Sequence, residues 1–402
     1  MPPASIKKST TRTKDGLHRI WGASVTVSGI ESLFRDIGKR QRMDQVLLPT
    51  QAKGLAAGGE AALIQWLVAW AQSPGTFILR TFATSVDDPQ LERLSRRLYG
   101  LVAALCCDSA LNYRGDTDIT GALASLALSQ LEALQGHSPR SASRGQSVEI
   151  LCVDHLGRSA PKLLYQRDAN GMSKVRPRND FADVAAMVLD VTVQGGYRRN
   201  VSSSAANAFA EMLFEIFRNT EDHARTSLDQ NELRRSVRGF QARTHGLLPG
   251  ALNEIVGDFV PLRTFCERLQ PDPGSRQVHL MELSVFDSGI GFAQSWTKKK
   301  LSDMTLQEER DAVEECFSKK SSKPNRGFGE GLPHVIRLLQ KQGGFLRLRT
   351  GRLSLYADMG RAADVVDAVP FELQPWVPDD EEPLHEAAGA LLTVLMPLRR
   401  VV

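Results

Sequence analysis

The sequence predicts a mixed α/β (α+β) protein. Helix-like and strand-like segments alternate from about residue 20 to 180, the pattern of an α/β layer domain. Apolar residues recur at helical spacing in some segments and at every second position in others. The chain is 402 residues long, with 42% hydrophobic and 24% charged residues. That is room for two or three domains, each with its own core, and it argues against wholesale disorder.

The elements follow in order. Residues 1–20 read as a basic, flexible tail, with Lys7, Lys8, Arg12, Lys14 and Arg19. Residues 21–184 read as an amino-terminal α/β domain of unread role. In it "DQVLLP" (44–49) is a strand and "GEAALIQWLVAWAQ" (59–72) a helix. "TFILRTFA" (76–83) is β-rich, and "PQLERLSRRLYGLVAALCC" (89–107) is a strong helix. "DITGALASLALSQLEALQ" (118–135) is a helix opened by an aspartate cap. "VEILCVDHLGRSAPKLLYQ" (148–166) reads as two strands around a turn, with Asp154 and His155 exposed at the hairpin end. Residues 185–402 form the second domain, entered through "MVLDVTV" (187–193), which reads as a strand.

Charge and cysteine content exclude more than they assign. The net charge of +4 does not by itself argue for nucleic acid. The cluster Arg234, Arg235, Arg238 and Arg243 reads as a solvated basic face; nucleic-acid binding through it is conceivable but not favoured. Five cysteines show neither metal spacing nor a disulfide framework. No apolar run reaches the length of a membrane helix, and the start lacks a secretory signal, so a cytoplasmic protein is expected.

Three stretches carry chemistry. "EIFRNTEDHA" (215–224) lies in an amphipathic helix whose apolar side holds Phe209, Leu213, Ile216, Phe217 and Thr220. Steps of four turn a helix by only about 40°, so Glu215, Asn219 and His223 climb one stripe with Asp222 beside it. "LMELSVFDSGIGFAQSW" (280–296) is an alternating strand that stops on Asp287 and turns through Gly289 and Gly291, which let backbone and ligand approach closely. "NRGFGEGLPHVIRLLQKQGG" (325–344) places Gly327, Gly329, Gly331 and Leu332 at the opening of a helix. Such a loop suits an anion, and Lys319, Lys320, Lys323 and Arg326 add positive charge. "GALLTVLMP" (389–397) reads as a final strand.

This order of motifs resembles the GHKL superfamily of ATP-binding domains, also called the Bergerat or histidine-kinase-like ATPase fold. The resemblance covers roughly residues 185–399 and implies an α/β sandwich with a mixed sheet under helices. It implies ATP and Mg2+ as ligands. Asn219 then holds the metal, Asp287 reads the adenine amine, and Gly289 and Gly291 shape the adenine pocket. Lys323, Gly327, Gly329, Gly331 and Leu332 belong to the phosphate lid, with Asp222 and His223 near the phosphates. Glu215 takes the place of the family's general base. The chain departs from the pattern after Gly389, where Ala390 stands instead of threonine and Thr393 lies further on. The connector between Asn219 and Asp287 is long and is expected to add a helix or two.

Fold alone does not choose among the superfamily's chemistries. No upstream histidine has the context of a phosphoacceptor, and the chain stops at the last strand without a transducer domain. The expected function is slow magnesium-dependent ATP hydrolysis coupled to lid closure and to regulation of a protein partner or of the other domain. The alternatives are a protein serine/threonine kinase or anti-sigma-like regulator, and a non-catalytic ATP-sensing scaffold. A homodimer is compatible with all three, and no membrane partner is expected.

Overall fold

The computed structural model describes residues 10–12, 17–20, 26–37, 45–52, 57–136, 143–144, 146–158, 160–193, 195–318, 331–360, 371–376 and 384–398. The chain divides into two compact units, Met1–Glu132 with Glu254–Phe259, and Ala133–Asn253 with Val260–Val402. The division falls well before the expected boundary at residue 184, because the strand at 147–153 belongs to the second unit's sheet.

The first unit is a layer of short strands and crossover helices. Its elements are β1 (Thr10–Arg12), β2 (Leu17–Ile20), α1 (Val27–Ile37), β3 (Gln45–Leu47), α2 (Gly59–Gln72), β4 (Ile78–Arg80), α3 (Pro89–Ser95), α4 (Leu98–Cys106) and β5 (Ser109–Leu111). The sheet order is β1-β2-β3-β4-β5, parallel from β2 to β5 with β1 antiparallel at the edge. Parallel neighbours need long connections, and the helices supply them. Residues 10–12 and 17–20, expected as part of a tail, thus contribute two strands. The helix α2 is buried on nearly every side, as its uniformly apolar sequence requires. Asp88 caps α3 by accepting from the Gln90 N–H at 2.9 Å, with Pro89 in the first turn. The helix α5 (Thr120–Leu134) leads out of this unit.

The second unit is α+β. In chain order it holds β6 (Ser143–Arg144), β7 (Ser147–Val153), β8 (Tyr165–Arg167), β9 (Ser173–Val175), α6 (Arg178–Thr192), α7 (Ser203–His223) and β10 (Val237–Leu247). After α8 (Asn253–Val256) come α9 (Val260–Glu267), β11 (Val278–Asp287), α10 (Gly291–Thr297), α11 (Leu306–Phe317) and α12 (Gly331–Gln342). The chain closes with β12 (Phe345–Gly351), β13 (Leu353–Asp358), β14 (Gln374–Pro375) and β15 (Ala387–Pro397). The large sheet runs β14-β13-β12-β15-β11-β10-β7-β6. Every one of its described ladders is antiparallel, so the expected mixture of pairings is replaced by a uniformly antiparallel sheet. The helices α6 and α7 lie across its β7, β10 and β11 strands, and α12 lies against α7 and β15.

Three local expectations are corrected. "MVLDVTV" is the end of α6, not a strand. Phe181, Val184, Ala185, Val188 and Leu189 are buried at helical spacing, with Phe181 edge-on to Phe214 of α7 at 5.1 Å. A short β-branched run cannot by itself be told from a buried helix segment. The segment 148–166 does not close a hairpin: β7 pairs with β10 and β6, whereas β8 pairs with β9. The connector after α7 contains not only helices but the central strand β10, which buries Arg238. The four arginines therefore do not form one solvated face. Among the described residues no helix is long and apolar enough to cross a membrane.

Candidate functional site

The site is built on α7. The Ser202 hydroxyl caps its start by accepting from the Ala205 N–H at 3.2 Å. Phe209, Leu213, Ile216, Phe217 and Thr220 are buried, as the periodicity requires, and this fixes the roll of the helix. Glu215 is 9% exposed at its side chain and pairs through Oε1 with Arg178 of α6. Gly331, the first residue of α12, packs on the same carboxylate: a Cβ there would lie 2.7 Å from Glu215 Oε2. Asn219, one turn on, is half-buried and has no side-chain hydrogen bond among the described residues. Asp222 is paired loosely with Arg218 at 3.8 Å. His223 ends the helix with Nδ1 3.3 Å from the Ser295 hydroxyl.

The tip of β11 meets that end of the helix. A Cβ on Gly289 would lie 2.6 Å from Ala224 Cα, so glycine allows the turn to close on α7. Asp287 Oδ1 accepts from the Gly289 N–H at 2.9 Å and the Ala390 N–H at 3.3 Å. Oδ2 has no partner among the described residues. Burial pushes the Asp287 carboxyl up to about 6, although both N–H groups and the Arg238 charge favour its ionised form. The threonine missing after Gly389 has a counterpart on the neighbouring strand. The Thr350 hydroxyl donates to the Gly389 carbonyl at 3.1 Å and accepts from the Phe292 N–H at 3.2 Å. Thr393 pairs in register with Ser284, three residues before Asp287, and so faces the other side of the sheet.

Gly389 is the tightest point of this corner. It has φ +58°, and a Cβ there would stand 2.1 Å from the Asp287 carbonyl oxygen. Gly389→Ala is expected to destabilise the protein by roughly 1–3 kcal/mol, read as a lowered thermal midpoint, since strain and overlap act together.

The structure therefore brings Glu215 to Gly331 at one end of the stripe and His223 to Gly289 at the other, with Asn219 a single turn, about 5.4 Å, from each. Leu332 is buried in the first turn of α12. Lys323, Gly327 and Gly329 lie outside the described residues. No group of three or more His, Cys, Asp or Glu side chains placed to hold a metal occurs among the described residues. A magnesium ion held by one amide oxygen, phosphate oxygens and water would not need one, so Asn219 fits that role.

A second cluster, not legible in the sequence, braces α7 from behind. Asp154 is not an exposed turn residue. Its two oxygens take a forked pair from Arg238, at 2.9 and 3.0 Å, and the Ser236 hydroxyl donates to it at 3.0 Å. Arg238 also reaches Glu221 of α7 at 2.5 Å and Tyr165 at 2.6 Å, while the Tyr165 hydroxyl donates to Glu221 at 2.6 Å. Arg238 stands opposite Asp287 in the β10–β11 register, so the buried cation is next to the Asp287 carboxylate. Only the sign and spacing of residues far apart in the chain connect these groups, and no local pattern signals them.

No family model, curated protein or solved structure matches this chain.

Proposed function

We propose that this protein binds ATP with magnesium along the α7 stripe and hydrolyses it slowly. The observation that carries the reading is the meeting of three sequence-distant motifs in one unit. The Glu215–Asn219–His223 stripe ends on the glycine turn after Asp287, and the glycine opening α12 rests on Glu215. In this reading Asp287 Oδ2 accepts from the exocyclic amine of adenine, while Oδ1 stays held by Gly289 and Ala390. Asn219 would hold the magnesium ion through its amide oxygen, and the ion would supply neutralisation of the phosphate charge. Glu215 takes the proton of the attacking water as its oxygen bonds to the γ-phosphorus and the bond from phosphorus to the ADP oxygen breaks.

Glu215→Gln tests the base. The variant should bind ATP within about threefold of wild type but release phosphate on the order of 100-fold more slowly or less. Equal phosphate release by the two proteins would sink the assignment. Incubation with γ-labelled ATP decides the product: label on free phosphate supports hydrolysis, whereas label on protein replaces it with a protein kinase.

A further inference from the structure

The cation nearest the candidate base is Arg178, the first residue of α6. Besides its bond to Glu215, its guanidinium lies over the Phe214 ring, 5.4 Å from the centroid. Glu211 is 4.0 Å away, but its Oε2 is already taken by His334 of α12. Arg178 is thus directed at Glu215 alone at close range.

That pairing is unfavourable for a base. The guanidinium engages Oε1 while Gly331 packs on Oε2, which crowds a water away from the carboxylate. It also contributes little to stability, since Arg178 is 52% exposed and exposed pairs are weak. The contact is therefore easily broken by a stronger anion. A terminal phosphate carries more charge than a carboxylate and matches the planar fork of arginine with two parallel hydrogen bonds. The Phe214 ring gives the guanidinium a platform on which to swing without leaving the stripe.

We propose that Arg178 distinguishes a nucleoside triphosphate from a diphosphate. Without nucleotide it holds Glu215, and when a triphosphate enters it transfers its hydrogen bonds to the terminal phosphate, which frees Glu215 to take a proton. The inference rests on the nucleotide reading above and adds the residue through which the substrate releases its own base.

Calorimetry on the full chain, with Mg2+ and either ADP or the non-hydrolysable analogue AMP-PNP, tests it, together with steady-state hydrolysis. Wild type should prefer the triphosphate, and Arg178→Met should lose about tenfold of that preference while ADP affinity stays within about twofold. Turnover should fall in Arg178→Met, and Arg178→Lys, which keeps the charge but not the fork, should fall between them. An unchanged ratio of triphosphate to diphosphate affinity in Arg178→Met overturns the proposal. So does a rise in turnover at an unchanged ratio, because Arg178 would then only restrain Glu215. Wild-type protein that binds neither nucleotide overturns both readings. Wild-type protein that binds ADP, with a preference Arg178→Met leaves intact, overturns this one alone.

Discussion

Asp287→Asn is expected to abolish ATP binding, by about 100-fold or more in affinity, while leaving the protein folded. The amide is the same shape as the carboxylate. Its oxygen keeps the bonds from Gly289 and Ala390, so the corner of the sheet survives. The remaining oxygen becomes an NH2 group, and a donor then faces the adenine amine where an acceptor is needed. The same change removes a carboxylate that burial disfavours. Asp287→Asn should therefore be more stable than wild type above pH 7, by roughly 1–3 kcal/mol. Its raised folded-state value means that the wild-type side chain favours folding while protonated, below the ordinary carboxylate range. That contribution is lost as pH rises through about 6. Adenosine binding, which avoids phosphate titration, should strengthen over this window in wild type and stay flat in Asp287→Asn. Calorimetry and thermal denaturation across pH 5–8 read both effects. Normal ATP affinity in Asp287→Asn would remove the adenine assignment and with it the nucleotide pocket.

Arg238→Met is expected to cost about 3–5 kcal/mol of stability. The side chain is 3% exposed and lies between Asp154 and Glu221, 17% and 20% exposed. Without it two carboxylates and the Tyr165 hydroxyl face one another across a mostly dry space. The exposed Arg225 would remain as a weaker cationic partner of both carboxylates, 3.2 Å from Glu221 and 3.8 Å from Asp154. Asp154→Asn should cost less, roughly 1–3 kcal/mol, because Arg238 still holds Glu221 and Tyr165. Acid should weaken the same cluster. Burial opposes ionisation of Asp154, but the Arg238 hydrogen bonds and charge outweigh it and hold the carboxyl below the usual range. Its stabilisation is present above the ordinary carboxylate value and disappears as pH falls below it. Urea denaturation at pH 7 and at about pH 3, below the ordinary carboxylate value, measures both parts. An Arg238→Met protein as stable as wild type would show that the cluster does not brace α7.

The sequence by itself determined the elements whose signal is local. The apolar face of α7, the strand β11 with Asp287 at its end, the amphipathic α12 and the last strand β15 all follow from periodicity and from glycine placement. The candidate stripe of Glu215, Asn219 and His223 was legible for the same reason, since a helix turns four residues into neighbours. Tertiary structure alone decided the rest. It made 187–192 a helix and threaded β10 into a stretch that reads as a connector, because burial against α7 and pairing with two strands outweigh a weak local preference. It placed Arg178 on Glu215, Ala390 on Asp287, Thr350 on Gly389, and Arg238 between Asp154 and Glu221. The physical reason is separation. Asp154 and Arg238 lie 84 residues apart, and Asp287 and Ala390 lie 103 apart. A charge or an N–H group becomes a partner only when the sheet brings it within hydrogen-bond reach and excludes water from it.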